Sequence, residues 1–354
     1  MNAYGKTSAF RVIEETPFNG GTPLNDEAML ESALTPNDLF FVRNHGDVPE
    51  VDPETYRLQI DGLVERPLSL SLADLRELPR RTETAVMQCA GNRRVELTAH
   101  QPIFNELMWD IDGVGCARWS GWSLADVLAL AGVLPSARHA AFEGLDQCAK
   151  DGITFPYGSS IPLTKVSAAE TLLADQMNDQ PLPPAHGFPL RVVVPGYIGA
   201  RSVKWLSRIT LQADPSDNYY QQVAYTTPEG HMIGEYPVNA LIQTPADGEV
   251  IPAGNADRVD FRGFALVGGG RGIARVEYRV DQGNWMRAEL SPSDSSWSWH
   301  RWTAVLPPLE RGEHVLQVRA VDTAGNHQPA AIEDVWSPKG YLNNAWHTVR
   351  VMVR

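Results

Sequence analysis

The chain has 354 residues, a formal net charge of −13 at pH 7 and a sequence pI near 5.1, which argues against a nucleic-acid binder because such a footprint is basic. Hydrophobic residues make up 43% and aromatics 8%, the balance of a globular protein, and no apolar run approaches the length of a membrane span. The three cysteines, Cys89, Cys116 and Cys148, contain no Cys-x-x-Cys pair, so neither a disulfide framework nor a zinc site is indicated.

In chain order, residues 1–35 are polar and rich in Gly and Pro, as in Pro17-Phe18-Asn19-Gly20-Gly21-Thr22-Pro23, and predict an irregular arm laid on the surface. Met1 to Arg11 shows no basic head before an apolar core, so a cytoplasmic location is expected, or a periplasmic one if an export leader has been removed. Tyr56 to Val64 alternates apolar and polar residues around Gly62 and predicts a half-buried strand and hairpin. Ser71 to Leu78 has leucines at helical spacing and stops at Pro79.

Chemistry concentrates in Thr84-Ala85-Val86-Met87-Gln88-Cys89-Ala90-Gly91-Asn92-Arg93-Arg94. A short apolar run reads as a buried strand and ends at a cysteine, a Gly-Asn turn signal and two arginines. Neighbouring guanidiniums lower a thiol's pKa, and the thiolate is the nucleophile or soft-metal ligand. Gly91 would let backbone approach a bound group closely. A buried cysteine acting as a small hydrophobe fits the same residues, and this stretch alone leaves both readings open.

Ser123 to Gly132 predicts a second short helix, capped by Ser123 and closed by Gly132. Ala168 to Asn178 predicts a third, ended by Pro181-Leu182-Pro183-Pro184, and Leu190 to Gly196 a buried strand. Short helices and strands without a regular βαβ repeat predict an α+β domain over residues 36–237. From residue 238 to 354, turn signals such as Asp247-Gly248 and Asp281-Gln282-Gly283-Asn284 separate alternating segments, including Arg275 to Val280 and His314 to Val321. That pattern predicts an Ig-like all-β sandwich. Gly268-Gly269-Gly270-Arg271-Gly272 lacks the Gly-Lys-Ser/Thr ending of a phosphate loop and reads as a turn between strands.

Gln88-Cys89-Ala90-Gly91-Asn92-Arg93-Arg94 resembles the molybdenum-ligand motif of the sulfite oxidase family. Phe41-Val42-Arg43-Asn44-His45, Ala117-Arg118-Trp119, Phe142-Glu143-Gly144-Leu145-Asp146, His186 to Gly196, Gly199 to Leu206 and Asn344-Ala345-Trp346-His347 agree with that family in the same order, over most of the chain from about Asp38 onward. The resemblance implies an α+β molybdopterin-binding domain followed by an Ig-like domain that forms a homodimer. It also implies a molybdenum cofactor whose metal is held by Cys89. Carried over position by position, the cofactor contacts are Phe41, Val42, Arg43, Asn44, His45, Asp146, His186, Arg191, Ser202, Val203 and Lys204. Taken singly, Asp146 also reads as a turn residue, His186 as a loop histidine and Lys204 as a solvated lysine.

Arg43 and Arg94 match the family's substrate arginines and Trp109 its pocket wall. Tyr225 matches a tyrosine beside the reacting oxygen, by spacing from Lys204 alone. Lys339 falls where the animal enzymes carry arginine, which keeps the charge and loses bidentate geometry. The implied reaction is oxidation of sulfite to sulfate by oxo transfer from molybdenum(VI), with electrons passed to cytochrome c or oxygen. No haem domain is expected, since residues 1–35 are too short for one. A nitrate reductase shares the fold and cysteine, yet in the family pattern carries an uncharged methionine where Lys339 stands. A sulfoxide-reducing relative would lack the C-terminal domain. A reading of another class is a cofactor-free interaction protein whose first half is a relic.

Overall fold

The computed structural model describes residues 1–293 and 295–354, the side chains of residues 28 and 31 excepted. They form two units, the first made of residues 1–22, 34–90 and 113–234 and the second of residues 23–33, 91–112 and 235–354.

In the first unit, Arg80–Gln88 lies antiparallel to Val114–Ser123, which pairs in turn with Leu172–Met177; Gln180–Pro181 and Arg191–Val193 also pair with Leu172–Met177. A second sheet runs in the order Leu68–Leu70, Leu58–Gly62, Leu206–Gln212, His139–Lys150 and Ile153–Pro162. Arg80–Gln88 begins exposed and ends buried, so its alternating Thr82, Thr84 and Val86 carry the chain from the surface inward to Cys89. There the Cys89 N–H donates to the Gly113 carbonyl at 2.8 Å. Both expected capped helices are present. Leu72–Arg76 opens on a capping box, with Ser71 Oγ accepting from the Asp74 N–H and the Asp74 carboxylate accepting from the Ser71 N–H. Leu124–Ala129 starts on Ser123, and Gly132 follows with φ +70°, a conformation glycine adopts freely.

Three expectations are corrected. Ala168 to Asn178 is not a helix: Leu172–Met177 is a strand. Its apolar run is too short to carry a period, and its place between Val114–Ser123 and Arg191–Val193 satisfies its backbone in a sheet. The N-terminal arm is not irregular, because Arg11–Glu15 and Phe18–Gly21 form a hairpin, and Phe10 and Phe18 pack with Val42 and Ala185. Residues Glu27–Glu31 form a short helix of the second unit, where Arg301 donates to the Met29 carbonyl at 2.7 Å. The first unit is mostly β rather than evenly α+β: its described α-helices have four to six residues, since its apolar residues are spent on sheet pairing.

In the second unit, Asn239–Thr244, Phe261–Leu266, His300–Ala304 and Glu289–Leu290 make one antiparallel sheet. Val250–Ile251, His347–Val353, Gly312–Asp322, Ile273–Val280 and Met286–Arg287 make the other. Alternate residues of both face one core, with Ile242, Phe261 and Trp302 from the first sheet against Val276, Leu316 and Val351 from the second. Burial of each such aliphatic or phenyl side chain contributes about 1.5–3 kcal/mol. The turn at Gly268 to Gly272 joins Phe261–Leu266 to Ile273–Val280, as its composition suggests.

Candidate active site

Cys89 lines a cavity of the first unit whose outline, open to solvent, encloses about 630 Å³ of space. Phe41, Arg43, Asn44 and His45 line it from one loop, Asp146 from a bulge in His139–Lys150, and His186, Arg191, Ser202, Lys204 and Tyr225 complete the expected set. Val42 and Val203 are 1% exposed and stand behind the wall, Val42 in the apolar cluster with Phe10 and Phe18.

The cations are held by carbonyls. Arg191 is 3% exposed and donates to the carbonyls of His186 at 2.9 Å and Ser202 at 3.0 Å; burial lowers its pKa to about 9. Lys204 donates to Asn44 Oδ1 and to the Ala185 carbonyl, and burial, with Arg191 beside it, drives its pKa well below the ordinary lysine value. Arg43 reaches the Asn44 carbonyl. Asn44 is fixed from the N-terminal hairpin: its N–H donates to Asn19 Oδ1 at 2.6 Å and its Nδ2 to the Phe18 carbonyl at 2.9 Å.

Asp146 is the one carboxylate among the lining residues described. It is 4% exposed, burial raises its pKa to about 6 against the pull of Lys204, and its Oδ1 has no hydrogen-bond partner. An unpaired buried acceptor is costly, and so is a surplus of buried cations. Both costs are removed by one ligand that offers N–H donors at one end and an anion at the other. Among the described residues no group of three or more His, Cys, Asp or Glu could hold a metal ion, so a metal on Cys89 needs ligands from that same molecule. The residues present therefore fit a pterin–phosphate group carrying a thiophilic metal.

Tyr225 is 4% exposed, and its hydroxyl lies 2.9 Å from His45 Nε2. The His45 ring stacks on Tyr157 at 5.0 Å and packs against Tyr220 at 4.2 Å. Burial, then Arg43 and Lys204, lower its pKa well below the ordinary value, so it is neutral. Behind the cavity Arg201, 1% exposed, donates to the carbonyls of Ile233 at 2.8 Å and Tyr225 at 3.2 Å and to Gln221 Oε1 at 2.5 Å. It thereby anchors the π-turn Tyr220–Ala224 that leads into Tyr225.

Arg94, Trp109 and Lys339 belong to the second unit. Arg94 is 2% exposed; its Nε donates to the Lys339 carbonyl at 2.8 Å, its Nη1 to the Leu107 carbonyl at 2.6 Å, and Glu106 lies 3.5 Å away. Trp109 is fully buried, and its carbonyl accepts from the Val95 N–H. Burial lowers the Lys339 pKa while Glu106 opposes the shift. The neighbouring Arg93, fully buried, grips Glu96 through two hydrogen bonds of 2.7 Å. Two readings of the Cys89 stretch are thus corrected. Arg93 and Arg94 are committed to carbonyls and carboxylates, while the cations that share the cavity with Cys89 are Arg43, Arg191 and Lys204. Gly91 is required by packing, since a Cβ there would stand 2.2 Å from Arg94 Nη2.

Sequence reasoning missed Lys6, Asn19, Tyr157 and Arg201. Arg201 lies inside a family-like segment and so carried a signal, whereas Tyr157 stands in a run of five consecutive buried residues with no alternation to single it out. Lys6 carried none, standing alone in a polar stretch.

Residues 45–220 match the family model described as oxidoreductase molybdopterin binding domain, and residues 230–354 match the Mo-co oxidoreductase dimerisation domain. The chain is 41% identical to human mitochondrial sulfite oxidase over 98% of its own length and 66% of that protein's, so it spans about two thirds of that relative. It is 37% identical to the Arabidopsis thaliana sulfite oxidase, covering 98% of this chain and 94% of the relative. The solved sulfane dehydrogenase SoxCD from Paracoccus pantotrophus superposes with a TM-score of 0.78 at 27% identity, covering 95% of this chain and 84% of that one.

Proposed function

The chain belongs to the sulfite oxidase family of molybdopterin-binding oxidoreductases, and from that premise we propose that it oxidises sulfite to sulfate at a molybdenum centre held by Cys89. The observation that carries this reading is the buried, unpartnered Asp146 Oδ1 facing a cavity that also holds Cys89, Arg43, Arg191 and Lys204. When bound, the molybdenum–pterin group supplies an oxygen atom to sulfur and takes up an electron pair.

The chain's own residues do the rest. Cys89 would hold the metal, Asp146 would accept from the pterin, and Arg191, Lys204 and Ser202 would receive the phosphate. Arg43 adds positive charge toward a small oxyanion, in a cavity dry enough for that charge to act strongly. Tyr225 presents its hydroxyl from a fixed position, because His45 Nε2 and the backbone contact to Arg201 hold it. Arg94 and Lys339 are assigned as further anion-binding residues on the family resemblance alone, since the Arg94 guanidinium is set by two carbonyls and lies beside Glu106. Overall, sulfite and water would become sulfate with release of two protons and two electrons. The electrons pass to cytochrome c or to oxygen. The second unit's facing sheets are read as an Ig-like sandwich that pairs two copies of the chain.

Metal and pterin content of protein produced with molybdate tests the reading, together with its absorption. Stoichiometric molybdenum, pterin fluorescence after acid release and sulfite-driven bleaching of the thiolate-to-metal band are expected. A pterin-free protein, or a band untouched by sulfite, would sink it.

A further inference from the structure

Lys6 is 2% exposed although it stands in the polar N-terminal arm. Its ammonium lies 2.7 Å from each of three acceptors: the Asn37 carbonyl, the Phe40 carbonyl and His186 Nε2. Three acceptors match the three N–H bonds of a charged lysine and leave none idle. A charged Lys6 has no lone pair, so in that form Nε2 of His186 is the acceptor and the ring's proton sits on Nδ1. The ring plane is held as well, edge-on to Phe40 at 5.5 Å. His186 lines the cavity, and its carbonyl is the one that fixes Arg191.

The charge on Lys6 is expensive where it stands. Burial lowers its pKa to about 7, and the Asp38 carboxylate opposes this. The side chains facing His186 from other elements, Lys204 and Arg191, are basic too. A buried, fully donated cation without a buried acid against it is kept where an anion arrives beside it. The rest of the arm serves the same wall, since Asn19 and Phe18 hold Asn44.

We infer that Lys6 is a positioning residue for the cofactor: from the N-terminal arm it sets the tautomer and orientation of His186, which lines the cavity, so that the arm retains the bound pterin–phosphate group. The inference rests on the cofactor reading above. Outer-shell partners of this kind change ligand affinity by roughly tenfold to a hundredfold.

Holoprotein carrying Lys6→Met, Lys6→Arg and His186→Phe, and the Lys6→Met/His186→Phe double variant, is followed by the rate at which pterin fluorescence appears in the filtrate. Lys6→Met is expected to release pterin about tenfold faster than the parent, with Lys6→Arg in between. In the His186→Phe background Lys6→Met should add little, a non-additivity that a merely structural lysine would not produce. Equal release from parent and Lys6→Met, or full additivity with His186→Phe, overturns the inference while leaving the cofactor reading intact; a parent that never carries pterin overturns the reading itself. If Lys6→Met yields no soluble protein, Lys6→Gln, which keeps a donor and loses the charge, takes its place under the same outcomes.

Discussion

Cys89 is 6% exposed and ends a strand whose last four residues are buried, so its side chain has little room to do anything but face the cavity. Serine is nearly isosteric and is a hard oxygen ligand where a soft one is needed. Cys89→Ser is therefore expected to lose molybdenum and sulfite-dependent reduction while its melting temperature stays close to the parent's; retained molybdenum would remove Cys89 from the metal. Tyr225→Phe takes one hydroxyl away from His45 Nε2. Losing a buried hydrogen bond costs about 1–3 kcal/mol, which at 1.36 kcal/mol per decade is roughly tenfold to a hundredfold in kcat/KM. Pterin content should not change, and a turnover equal to the parent's would show that the hydroxyl is a bystander.

At the scale of elements, the site depends on two devices that hold loops where no regular structure does. Gly46 pairs with Cys148, and a Cβ on it would stand 2.1 Å from the Gln147 carbonyl, so the His45 loop can approach the bulged strand only through glycine. Gly46→Ala must push that loop outward at a cost of about 1–3 kcal/mol, and both urea stability and sulfite turnover should fall together. Arg201 is the second device, since its guanidinium satisfies the Ile233, Tyr225 and Tyr220 carbonyls at once. Each buried acceptor left unpaired costs about 1–3 kcal/mol, so Arg201→Leu should lower unfolding free energy by about 3 kcal/mol or more. Equilibrium unfolding checks this, and a loss near zero would mean that water replaces the guanidinium.

At the scale of the whole molecule, charge is divided between a net acidic chain and a cation-rich cavity. The folded pKa of Lys6, about 7, lies below its ordinary value of 10.5. Between those two values the unfolded chain binds more protons, so ligand-free stability rises with pH there and levels off below the folded value, where both states are protonated. Relative to Lys6→Met, the ligand-free parent should thus gain stability from pH 7 to pH 9, and thermal melts of the two proteins at both values test it. An anion in the cavity favours the charged forms, so pyrophosphate binding to the same protein should weaken over that interval. The net charge of −13 acts outside the cavity. Reoxidation by any basic cytochrome should therefore slow as salt is raised, whereas reoxidation by oxygen should not.

The sequence alone was enough for the capped helices at Ser71 and Ser123, and it named Cys89, Arg43, Asp146, Arg191 and Lys204, which the structure brings to one cavity. These are local signals: cap chemistry, alternation along a strand, a turn after an apolar run, and contiguous family-like segments. Tertiary structure alone decided that Leu172–Met177 pairs as a strand and that Arg93 and Arg94 are spent on Glu96 and on carbonyls. It also placed Lys6, Asn19 and Arg201 behind the cavity, against His186, Asn44 and Tyr225 that line it. A side chain's partner across a long loop leaves no period and no spacing in the chain that carries it. What fixes such a pairing is the need to satisfy buried charges and carbonyls, and that need exists only once the chain has folded around them.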